Sequence, residues 1–188
     1  MAACGGLHTL AVSEDGVLYA CSDGSRGALG LGNEERMLCP ARVAVPHECV
    51  VVAASCGESH GACCTEDGRV YCWGDNTYAQ GGHGDTESRL LPTLVDGIDG
   101  TILHVCCGRF HTAAVTATGR LYTWGRGGHG RLGHGDGDTD GAIVPKQIRP
   151  ERFVDAIGQF PKVLMAALGA VSRVSGCLMC SMFDASNI

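Results

Sequence analysis

Histidine recurs at three equivalent places in this chain. His8, His60 and His111 close the runs Cys4-Gly5-Gly6-Leu7-His8, Cys56-Gly57-Glu58-Ser59-His60 and Cys107-Gly108-Arg109-Phe110-His111. Imidazoles beside thiols are the right residue types for a metal centre or for a nucleophile with its base. Yet each pairing recurs once per copy of a longer pattern. Chemistry belongs to single sites, not to positions repeated along a fold. The expectation is a structural histidine in each copy, hydrogen-bonded within its own unit, with no catalytic or metal-ligating role.

Three further motifs carry chemistry elsewhere. Gly125-Arg126-Gly127-Gly128-His129-Gly130 has the spacing of a dinucleotide loop after a strand. That loop also needs a following helix and an acidic residue about 20 positions on, and no helical period follows here. Asp136-Gly137-Asp138-Thr139-Asp140-Gly141 matches the first half of a calcium loop. Its twelfth position is Gln147, where the bidentate glutamate should be, so it reads as a solvated turn. Cys177-Leu178-Met179-Cys180 is a lone pair without the second pair a structural zinc needs. There is no nucleophile elbow, P-loop or His-Glu-x-x-His helix. The expectation is a non-enzyme with no cofactor and no resident metal.

These motifs sit inside a repeat, and the repeat decides the architecture. The step from Cys4 to Cys56 is 52 residues and from Cys56 to Cys107 is 51. Each copy runs through an apolar strand to a turn at Asp15-Gly16, Asp67-Gly68 or Thr118-Gly119. A strand with tyrosine follows: Leu18-Tyr19-Ala20-Cys21, Val70-Tyr71-Cys72-Trp73 and Leu121-Tyr122-Thr123-Trp124. Next come a glycine loop and a closing Pro-x-x-Val/Ile strand. Four short strands about every 50 residues, with no helix-period segment, describe a blade that must stack on its neighbours. The fold class is therefore all-β, a partial β-propeller of about three four-stranded blades. The repeats occupy 1–148 (about 1–49, 50–100 and 101–148), and 149–188 is the start of a diverged fourth repeat or an irregular tail.

Composition narrows the partners. The 188 residues carry a net charge of −6 and no run of five like charges, which argues against nucleic acid. Nothing approaches the ~18 consecutive apolar residues of a membrane span. No basic start and apolar stretch follow Met1, so the 12 cysteines are expected reduced, in an intracellular protein, cytoplasmic or nuclear. Cys63-Cys64 and Cys106-Cys107 should point to opposite sheet faces as small apolar fillers.

The set Cys-Gly-x-x-His-Thr, Asp-Gly-x-Leu-Tyr-x-Trp-Gly, Gly-x-Leu-Gly-x-Gly and Pro-x-x-Val resembles the regulator of chromosome condensation family of repeats, from Met1 to about Ile148. The first copy departs from it, with Cys21-Ser22 in place of Trp-Gly. The family's usual fold is a seven-bladed propeller. Its repeats also occur inside HECT-type ubiquitin ligases, and a light-sensing branch uses clustered tryptophans. The two tryptophans here, Trp73 and Trp124, both stand at the Trp-Gly position, which speaks against light sensing. The resemblance implies a protein-interaction scaffold, with guanine nucleotide exchange on a Ran-type small GTPase as the alternative. Three copies leave the array open, so pairing with another chain through its blade edges is a further expectation.

Variable loops on a rigid scaffold carry recognition. The candidate partner-binding residues are Arg109 and Phe110, between the glycine and histidine of the third copy, with Asp136, Asp138 and Asp140. The acidic loop is lengthened: Gly135 to Pro145 spans 10 residues, against 8 from Gly32 to Pro40 and from Gly84 to Pro92.

Overall fold

The structure is a computed structural model that describes residues 1–135 and 140–149. It contains three four-stranded antiparallel sheets. The first is β1 (Ala2–Cys4), β2 (His8–Val12), β3 (Leu18–Ser22) and β4 (Met37–Arg42). The second is β5 (Val51–Cys56), β6 (His60–Thr65), β7 (Val70–Gly74) and β8 (Arg89–Leu94). The third is β9 (Ile102–Cys107), β10 (His111–Thr116), β11 (Leu121–Gly125) and β12 (Ala142–Gln147). Each is a plain meander in chain order, the propeller blade that the repeat predicts. No helix among the described residues is long and apolar enough to cross a membrane.

The local chemistry explains the strands. β-branched and aromatic residues alternate with small ones, and the sheets pair in matching register: His60 opposite Gly74 in the second, His111 opposite Gly125 in the third. The turn between β2 and β3 closes when Gly16 N–H donates to Ser13 O. Gly16 has φ +73°, a conformation only glycine adopts cheaply.

Blades stack face to face. Leu10, Leu18 and Val12 of the first sheet pack with Cys63, Tyr71 and Trp73 of the second. Cys64, Val70 and Cys72 of the second pack with Ala114, Tyr122 and Trp124 of the third. Cys63 and Cys64 thus serve opposite faces, as strand geometry requires. Burial raises the pKa of the Cys63 and Cys72 thiols and pushes Cys64 up to about 12. Burying each large apolar side chain here stabilises by ~1.5–3 kcal/mol.

The tryptophans tie each blade to the one before it. Trp73 Nε1–H donates to Ala28 O at 3.0 Å, and Trp124 Nε1–H to Gln80 O at 2.9 Å. Ala28 and Gln80 hold equivalent places in successive glycine loops. The innermost strands are stitched too. The Cys56 thiol donates to Ala3 O and the Cys107 thiol to Ser55 O, while Cys107 N–H donates to Ser55 Oγ. The motif cysteines are thus junction donors as well as fillers.

Candidate functional site

The repeated histidines are structural, but not in the way the sequence predicts. His60 does not bond within its own blade. Its Nε2 lies 3.1 Å from Thr112 Oγ1 of the next blade, and Thr112 donates its one proton to Gln80 O at 2.8 Å. Thr112 can then only accept from the imidazole, so His60 carries its proton on Nε2. The ring lies back over Gly57, where a Cβ would collide with it, and His111 does the same over Gly108. That is why glycine stands three residues before each histidine. His8 finds no side-chain partner, because the second copy carries Gly61 where the third carries Thr112. A Cβ at Gly61 would stand 2.6 Å from the Trp73 ring. Burial, then the neighbouring charges of His8 and His111, lower His60 to about 3. Burial lowers His8 as well. The His8 and His60 rings therefore stay neutral near pH 7 and are enclosed. Among the described residues no three His, Cys, Asp or Glu side chains are placed to hold a metal ion.

The loops that open β2, β6 and β10 and those that follow β3, β7 and β11 share one rim. Backbone bonds join them: Asp23 N–H to Leu7 O, Asp75 N–H to Ser59 O and Arg126 N–H to Phe110 O. The Asp-Gly turns lie at the other end, where Gly16 O and Gly68 O accept from Val51 N–H and Ile102 N–H of the next blade.

On the first rim a cluster spans the second and third blades. Phe110 and Tyr78 rings meet at 5.1 Å, tilted by 57°. The Arg126 guanidinium sits 4.8 Å over Tyr78 and 5.7 Å from Phe110. Arg109 sits 4.9 Å over the Phe110 ring and its Nη2 reaches Glu58 Oε1 at 3.2 Å. Tyr78, Arg109 and Arg126 are exposed, and Phe110 is half-buried beneath them. The junction before it solves the same problem with charge: Arg26 Nη1 meets Asp75 Oδ1 at 2.9 Å. Asp75 is buried, which raises its carboxyl, yet hydrogen bonds from Thr77 and Arg26 hold it below its ordinary value. Arg126 stands at the position of Asp75, and Tyr78 at that of Arg26. Stacking of cation on ring has replaced an ion pair.

Of the residues expected to bind a partner, Arg109 and Phe110 fall in this cluster. Asp140 is exposed where the β11–β12 loop returns on the same rim. Asp136 and Asp138, with the tail from Pro150, lie outside the described residues. Sequence reasoning missed Tyr78 and Arg126. The available signal was their loop equivalence, one repeat apart.

The repeat itself has relatives. The profile described as Regulator of chromosome condensation (RCC1) repeat matches residues 15–64, 67–115 and 118–170. The chain is 35% identical over 178 residues to the E3 ubiquitin-protein ligase HERC2 of Mus musculus, covering 93% of this chain and 4% of that protein. It is 38% identical over 147 residues to the ultraviolet-B receptor UVR8 of Arabidopsis thaliana, covering 78% of this chain and 33% of the receptor. It thus spans a small part of the first relative and a third of the second. Among solved structures, human WBSCR16 superposes with a TM-score of 0.74 at 24% identity, over 86% of this chain and 40% of that one. Prp20p from Saccharomyces cerevisiae does so with 0.71 at 26% identity, over 79% and 38%. Repeat and sheets agree with these matches: the chain belongs to the regulator of chromosome condensation (RCC1) repeat family.

Proposed function

We propose that the chain is a protein-interaction scaffold that receives its partner on the rim holding Arg109 and Phe110, with Asp136, Asp138 and Asp140 as further contact residues. The observation that carries this reading is the exposed Tyr78–Phe110–Arg126–Arg109 stack across two blades. Aromatic and arginine side chains are the types enriched where proteins dock, and here they contact one another across two blades. The test is site-directed photo-crosslinking in cells, with a benzophenone side chain at Tyr78 and, as control, at Glu66 on the opposite rim. A protein adduct specific to position 78 is the expected result. Equal adducts from both positions, or none, end the reading.

Pairing with another chain through open blade edges belongs to the same proposal. Tyr19 and Cys21 of the first sheet are partly exposed, whereas their counterparts Tyr71, Trp73, Tyr122 and Trp124 are buried. Sedimentation velocity should show mass rising with concentration, and a single monomer boundary throughout would remove pairing.

The second reading is guanine nucleotide exchange on a Ran-type small GTPase. What favours it is the likeness to Prp20p, whose structure was described together with its binding properties to Gsp1p and histones. Added to such a GTPase loaded with fluorescent GDP, the purified chain should speed release of the nucleotide. An unchanged rate retires this reading.

A further inference from the structure

The rim stack concentrates positive charge on an acidic chain. Two guanidinium groups flank one ring, Arg109 at 4.9 Å and Arg126 at 5.7 Å from the Phe110 centroid. Among the described residues Arg109 has a carboxylate, Glu58, and that pair is exposed, with 60% and 37% of the two side chains open to water. Exposed pairs of this kind contribute little and exchange readily. No carboxylate lies within ion-pair distance of Arg126 among the described residues. Its flat face is occupied by Tyr78. A stacked guanidinium keeps its in-plane N–H donors directed outward, the fork that suits a carboxylate.

Resting on the docking reading above, we propose that the partner presents an acidic segment. Two of its carboxylates meet Arg126 and Arg109, the second displacing Glu58, and an apolar side chain between them lies against Tyr78 and Phe110. The charge is local while the chain as a whole carries −6, so attraction would act at the patch and repulsion elsewhere. An extended acidic peptide fits that pattern better than a nucleic acid, whose evenly spaced phosphates need a longer basic track.

The experiment is fluorescence anisotropy on the full chain with three labelled probes. One is a 14-residue peptide of Glu and Asp with a central Phe. The second is its Gln and Asn isostere, and the third a single-stranded oligonucleotide of equal charge. The acidic peptide should bind, the isostere should not, and binding should weaken as salt rises. Arg126→Ala with Arg109→Ala should weaken the peptide tenfold or more, at an unchanged thermal midpoint. Arg126→Lys, which keeps charge but loses the fork and the stack, should fall between. Absence of peptide binding at millimolar concentration overturns the proposal. So does equal binding by the double variant, or tighter binding by the oligonucleotide. If crosslinks still form at position 78 while the acidic peptide fails, the docking surface stands and only its acidic occupant is wrong.

Discussion

Thr112 shows how one hydroxyl can hold two blades. It donates to Gln80 O and accepts from His60 Nε2, both fully buried. Thr112→Val keeps the shape and removes both bonds. Gln80 O keeps the Trp124 indole donor, so one buried group, the His60 Nε2–H, is stranded at ~1–3 kcal/mol before relaxation. The expected outcome is a loss of about 1–3 kcal/mol in denaturant unfolding, and a loss below about 0.5 kcal/mol contradicts the geometry. His60 also sets a pH dependence. Its folded pKa, about 3, lies below the ordinary 6.5, so the unfolded chain binds a proton that the folded one refuses. Stability is therefore full above pH 6.5 and falls as pH drops toward 3, by ~1.4 kcal/mol per pH unit. His8, lowered in the same direction, adds to the slope. Unfolding free energies at pH 7, 6 and 5 should show the decline, and His60→Gln should reduce its slope. The bond to Thr112 was within reach of the sequence, since the threonine follows the motif histidine, but its partner sits 52 residues away. Nothing in local spacing says that the histidine of one copy reaches into the next.

Strands and turns were the most legible part. The Asp-Gly signals, the tyrosine strands and the opposed faces of Cys63 and Cys64 follow from period-two geometry, and each appears where the repeat places it. The rim cluster was only half legible. Arg109 and Phe110 stood out because they fill variable positions inside a fixed motif. Tyr78 and Arg126 come from loops 48 residues apart and meet only because successive blades stack in one register. The tryptophan junction is testable on its own. Trp124→Phe retains most of the buried surface but leaves Gln80 O without the indole donor. A cost of about 1–2 kcal/mol is expected, with faster amide exchange in the 79–82 loop and in β10, and none near β1. Uniform acceleration across all three sheets would show that the junctions do not act separately.

At the scale of the whole molecule the thiols give a readout of integrity. Cys4 and Cys39 are exposed, while Cys63, Cys64 and Cys72 are buried with raised pKa values. Alkylation at pH 8 followed by mass spectrometry should modify Cys4 and Cys39 within minutes and spare the buried three until denaturant is added. Early labelling of Cys63 would mean that the first and second blades part readily, and early labelling of Cys64 that the second and third do. The clasp of each tryptophan on the preceding glycine loop has one more consequence: the array has a polarity. A fault in residues 79–82 is passed on to the third blade, and a fault at 28–30 to the second. Harmful substitutions in such a chain should therefore be mapped one repeat downstream of where they fall. Change by whole repeats, which carries each clasp along with its loop, is the kind of rearrangement the architecture tolerates.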